Sequence, residues 1–158
     1  MKIKWLGHAS FLITSDAEIK ILTDPYTTGG GLSYGKIQES ADIVTISHEH
    51  SDHNNVATVR GNPEVVRGTI TAEVKGIKFK GIPTYHDDAG GELRGNNAII
   101  CFEVDGIRVC HLGDLGHQLS DKQVAELGRI EILLIPVGVF IPLTLRWLVR
   151  FVTGLSLR

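Results

Sequence analysis

The chain has few cysteines, little excess charge and no long apolar run at its start. Its 158 residues include only 2 cysteines, too few for the disulfide framework of a small secreted scaffold. The formal net charge is −2, so the basic excess that marks a general nucleic-acid partner is missing and no nucleic acid is expected. The opening Lys2-Ile3-Lys4-Trp5-Leu6 is strand-like and lacks the apolar core of a secretory leader; a cytoplasmic location is expected. No internal repeat or low-complexity tract interrupts the chain. What it does contain is 42% apolar and 22% charged residues, a globular profile with length for one domain and a sizeable core.

The most informative segment is His48-Glu49-His50-Ser51-Asp52-His53, which fits the pattern His-x-His-x-Asp-His. An apolar run, Ile43-Val44-Thr45-Ile46, leads into it and reads as a buried strand. A short helix-compatible stretch follows to Arg60. The motif therefore sits in a turn at a strand's end, where side chains converge. Alternation sends His48 and His50 to one side, as two ligands of one ion require. Imidazole and carboxylate donors suit zinc, and also manganese or iron. The plainer reading, solvated histidines in a polar loop, fits such a density of donors poorly.

This motif resembles that of the metallo-β-lactamase superfamily, and in particular its branch similar to L-ascorbate-6-phosphate lactonase. Trp5-Leu6-Gly7-His8-Ala9-Ser10-Phe11, Leu22-Thr23-Asp24-Pro25-Tyr26, Pro83-Thr84-Tyr85-His86 and His111-Leu112-Gly113-Asp114 carry the same resemblance in the same order. It implies an αββα sandwich with an incomplete second half, and a metal centre in the loops at one edge. It further implies that His48, His50 and His86 hold a first ion, that Asp52 and His53 hold a second, and that Asp114 bridges them. Asp52 and Asp114 would be the catalytic carboxylates. Read alone, His86 is a loop histidine and Asp114 a turn or N-cap aspartate. His8, Asp24, His111 and His117 are expected in the cleft or behind the ligands, Asp24 as a carboxylate that orients a metal-bound histidine. The family places a further histidine near its C-terminus on the second ion. The last histidine here is His117, so that site is expected to be the weaker.

Local signals add detail. Asp105-Gly106 should close a two-residue hairpin that sets Cys101 against Cys110, with Cα atoms about 4.4–6.8 Å apart. In a cytoplasm these thiols would stay reduced. Lys75-Gly76 separates two further strand-like runs. A helix is expected over Asp121–Leu127, with Ser120 as N-cap, Gln123 closing a capping box and Gly128 ending it. A buried strand, Ile132 to Val137, follows. Residues 1–138 read as the domain. Residues 139–158 are apolar, with three arginines and no acid. Three readings stand for this tail: a frameshifted translation, a natural variant, or an amphipathic helix for a membrane surface or partner, with membrane contact the least favoured.

The function expected is a metal-dependent hydrolase of one or two ions, zinc first and manganese or iron as substitutes. It would act with metal-activated water on a small-molecule ester, lactone or phosphoester. The alternative is a non-catalytic metal-binding remnant or interaction module. The oligomeric state is left open.

Overall fold

Alternating apolar residues sort the chain into two sheets that share one inner core. The computed structural model describes residues 1–29 and 31–135. The strands are β1 (Lys2–Gly7), β2 (Ser10–Thr14), β3 (Lys20–Thr23), β4 (Ile43–Ile46), β5 (Glu64–Arg67), β6 (Thr71–Val74), β7 (Ile77–Tyr85), β8 (Asn96–Val104), β9 (Ile107–His111) and β10 (Ile132–Leu134). A helix, α1 (Asp121–Leu127), precedes β10, and the stretch after the histidine motif makes only a 3-10 turn, Val56–Thr58. One five-stranded sheet runs β1-β2-β3-β4-β5 and the other β10-β9-β8-β7-β6. Both are mixed: β3-β4-β5 and β9-β10 pair in parallel, the rest antiparallel. These are the two central layers of the expected sandwich.

The period of two along each strand decides which layer a side chain joins. Ile13, Ile21, Ile43 and Val66 of the first sheet meet Phe79, Ile100, Phe102 and Val109 of the second in the shared core. Their neighbours Leu12, Leu22, Val44 and Ile46 face outward beneath Tyr26, Ile37 and Val59. On the far side, Ile82, Ile99, Cys101 and Cys110 are covered by Leu115, Leu119 and Leu127. Strand β4 is buried on both faces, which explains its unbroken apolar run. The histidine motif is thus anchored to a strand buried on both faces.

The hairpin and the helix form where expected. Cys101 faces Cys110 across β8 and β9. Counting back from the closing pair Val104–Ile107 makes this a non-hydrogen-bonded pair, the closest kind in an antiparallel ladder. The Cα atoms stand 4.2 Å apart, just under the expected window, and the sulfurs are joined in a disulfide rather than held as separate thiols. Asp105 and Gly106 take φ of 53° and 74°, as the tight turn demands. In α1, Ser120 Oγ accepts from Gln123 N at 3.3 Å and Gln123 Oε1 accepts from Ser120 N at 2.9 Å. Gly128 ends the helix at φ 63°.

One strand runs on to the edge of the sandwich. β7 continues through Pro83 to Tyr85. Proline is tolerated because β6 pairs only as far as Lys80, so nothing in that ladder needs an N–H from residue 83. The Pro83 carbonyl is taken by Gln123 Nε2 of α1 at 2.7 Å. The extension carries His86 to the edge of the sandwich. The tail at 139–158 and the end of the strand expected to reach Val137 lie outside the described residues. Among the described residues no helix is long and apolar enough to cross a membrane.

Candidate metal centre

The loops after β3, β4, β7 and β9 and the β1–β2 turn meet at one edge of the sandwich. They bring Asp24, His48, His50, Asp52, His53, His86, Asp114 and His8 together. After β4 the chain turns sharply: the N–H groups of His53 and Asn54 both donate to the His50 carbonyl, at 2.9 and 3.1 Å. Glu49 points away from the cluster, toward Arg67 at 3.0 Å.

His48, His50 and His86 form one group, with a ring nitrogen from each within 4.8 Å of the others. His48 Nε2 lies 3.1 Å from His50 Nδ1, and the His86 ring stands 5.1 Å from His48 and 5.2 Å from His50. Ser47 Oγ holds His48 Nδ1 at 2.9 Å, which leaves Nε2 for the cluster. Behind His86, the Asp87 carboxylate accepts from the N–H groups of Ala89, Gly91, Leu93 and Arg94. That loop is therefore tied down, and His86 with it.

The second group is built around Asp24, which is fully buried at φ 36°. Its Oδ1 accepts from Ser47 N at 2.8 Å, and its Oδ2 meets Ser47 Oγ at 2.5 Å and His53 Nδ1 at 2.8 Å. With Nδ1 engaged, His53 turns Nε2 outward, 3.3 Å from Asp114 Oδ2 and 3.0 Å from His8 Nε2. His8 Nε2 also lies 3.2 Å from Asp52 Oδ2. Asp114 Oδ2 is 2.9 Å from His86 Nε2, so this carboxylate stands between the two groups. Asp114 is set by Asn97, whose Oδ1 accepts its N–H at 3.0 Å while Nδ2 donates to Thr84 and the Leu112 carbonyl. Gly113, at φ 56°, has no room for a Cβ against Asn97 and Ser47.

The charges follow from this geometry. Burial, then the neighbouring His53, pushes His48 down to about 4, so its nitrogen stays neutral. Burial also opposes a charged His53, but hydrogen bonds to Asp114 and Asp24 outweigh it and raise the group to about 10. Asp114 is held well below the usual carboxylate range: burial opposes its charge, but the hydrogen bonds from His53 and His86 prevail. Asp24 is lowered too, as His111, His53 and Ser47 overcome its desolvation. Facing imidazole nitrogens between carboxylates are lone pairs that only a proton or a cation can hold together. Three converging imidazoles beside a carboxylate-rich group are a donor set that suits a divalent ion.

The remaining expected residues separate. His111 is buried, its Nδ1 3.9 Å from Asp24 Oδ2, and desolvation lowers its pKa. His117 turns to other partners, its Nδ1 donating to the Gln118 carbonyl at 2.8 Å and its ring lying 5.6 Å from Tyr85. Ser47, Asn97 and Asp87 went unnoticed in the sequence. Asn97 carried a usable signal, the second of two amides, Asn96 and Asn97, at the head of the apolar run Ala98-Ile99-Ile100.

The model of the beta-lactamase superfamily domain matches residues 2–153. A UPF0173 metal-dependent hydrolase of Carboxydothermus hydrogenoformans is 32% identical, over 87% of this chain and 73% of its own length. One from Archaeoglobus fulgidus is 30% identical over 87% and 71%. A crystal structure from Thermotoga maritima, described as a candidate Zn-dependent hydrolase of the metallo-β-lactamase superfamily, is 36% identical. It superposes with a TM-score of 0.78 over 99% of this chain and 71% of its own. With these likenesses and a histidine–aspartate cluster at the sandwich edge, the chain belongs to the UPF0173 metal-dependent hydrolases of the metallo-β-lactamase superfamily.

Proposed function

We propose that the chain is a zinc hydrolase that directs water onto a small ester, lactone or phosphoester, in the manner of the lactonase-like branch. The observation that carries this is the Asp114 carboxylate lying within 2.9 Å of His86 and 3.3 Å of His53, between two groups of ligand-type side chains. His48, His50 and His86 would hold one ion. Asp52 and His53 would hold another, with Asp114 shared. The chemistry supplied by bound zinc is Lewis-acid: polarising a carbonyl or phosphoryl oxygen and making water acidic enough to deprotonate near neutral pH. The name of the similar Thermotoga maritima protein favours zinc; manganese and iron fit the same donors.

The chain's own residues prepare the site. Asp24 keeps the proton of His53 on Nδ1, so Nε2 presents a lone pair. Ser47 does the corresponding job at His48 Nδ1. Asp114 sets the separation of the two groups. Asp52, 41% exposed, stands at the open side, where its carboxylate can orient an attacking water and take its proton.

The test is turnover of a panel of esters, lactones and phosphodiesters by purified protein. Activity should vanish with EDTA and return with zinc. Tightly held zinc with no turnover of any panel member would favour the alternative, a metal-binding module without catalysis.

A further inference from the structure

We infer that His8 is a metal ligand, completing the second centre together with Asp52, His53 and Asp114. This rests on the hydrolase reading above and adds a ligand from a part of the chain far from the histidine motif.

His8 Nε2 lies 3.0 Å from His53 Nε2 and 3.2 Å from Asp52 Oδ2. One donor atom from each of the three residues falls within 4.8 Å of the others. This convergence is built, not incidental. His8 occupies the two-residue turn between β1 and β2, where Gly7 pairs with Ser10. Its φ is 48°, a left-handed backbone that few non-glycine residues adopt. The turn is pinned from outside by Trp5, whose Nε1 donates to the His8 carbonyl at 2.9 Å. It is pinned from below by Thr23 Oγ1, which donates to the Ala9 carbonyl at 2.9 Å, and by Ser10 Oγ, which donates to the Asp24 carbonyl. The residue that carries His53, Asp24, is thus tied to the turn that carries His8. Asp24 occupies His53 Nδ1, so the nitrogen facing His8 is the one free to ligate. A carboxylate and two imidazole nitrogens, with Asp114 Oδ2 3.3 Å from His53 Nε2, make a mixed N/O donor set for zinc.

The experiment is metal stoichiometry on the chelator-stripped chain, by mass spectrometry of bound metal and by cobalt titration followed in the visible spectrum. His8→Asn preserves the left-handed turn, since Asn tolerates that backbone. Wild type should take up two ions. His8→Asn should take up one tightly, with the second weakened at least ~10-fold, the lower bound seen when a ligand loses mere support. His8→Gly should behave alike, and added imidazole should restore its second ion, which a purely structural role would not allow. Circular dichroism of both variants in chelator should match wild type. If wild type takes two ions and His8→Asn takes two with unchanged affinity, His8 only hydrogen-bonds and the inference falls while the hydrolase reading stands. A wild type that takes only one ion also overturns it. A wild type that takes none overturns the hydrolase reading itself.

Discussion

Asp24 shows what one buried carboxylate controls. It lies out of solvent yet touches Ser47 N, Ser47 Oγ and His53 Nδ1, and so sets the orientation of two histidines. Asp24→Asn would place an amide N–H₂ against His53 Nδ1. The imidazole would then shift its proton to Nε2 and lose the outward lone pair. We expect metal affinity to fall ~10–100-fold, the range for a lost orienting partner, read by competition with a chromophoric chelator. An unchanged affinity would mean that His53 does not ligate through Nε2. At this scale the sequence was legible where spacing alone brings donors together, as in His48 to His53. It was not legible for Ser47, Asn97 or Asp87. Their partners come from other strands or from backbone N–H groups, and neither leaves a periodic trace.

Elements with self-contained signals read well. The Asp105-Gly106 hairpin and the Ser120-to-Gly128 helix depend on contacts within a few residues, so their registers match expectation. How far β7 runs past Pro83 is set instead by how far β6 reaches alongside, which no local signal records. The capping box offers a clean measurement. Ser120→Ala removes the acceptor for Gln123 N and should cost about 1 kcal/mol. For a chain of this size that is a drop of roughly 2–4 °C in Tm. Ser120→Gly should cost only a few tenths of that unit. Because the Ser120 hydroxyl bonds to Gln123 and not to a residue of the histidine–aspartate cluster, metal uptake should be unaffected. A large loss of metal in Ser120→Ala would show that α1 supports the site through β7.

At the scale of the molecule, the centre joins the two sheets. His8, Asp24 and His48 to His53 come from the first sheet, His86 and Asp114 from the second. The sandwich and the meeting of its loops at one edge were implied by family resemblance, not by any local pattern, and the sheet order was not legible at all, since non-local pairing has no signature in a single strand. The Ala98 N–H reinforces the joint by donating to the Ser47 carbonyl at 3.0 Å. Packing carboxylates and histidines here makes stability depend on pH. His53 is raised to about 10 in the fold against ~6.5 unfolded. Its contribution is therefore complete below ~6.5 and lost as pH rises through about 10, because over that window only the folded state keeps the proton. His48 is lowered to about 4, so between 6.5 and 4 the unfolded state binds the extra proton and stability falls on acidification. The lowered Asp114 and Asp24 act in the same direction as His48 at low pH. Urea melts in EDTA should give a maximum near pH 6–7, with a decline on both sides. Zinc should raise stability by mass action where its donors are unprotonated, about 2.7 kcal/mol at a hundred times Kd, and less on the acid side where protons compete for them. It should also flatten the alkaline limb, since the ion takes the lone pair that the His53 proton otherwise occupies. An alkaline limb equally steep with and without zinc would mean that His53 keeps its proton in the loaded protein and is not a ligand.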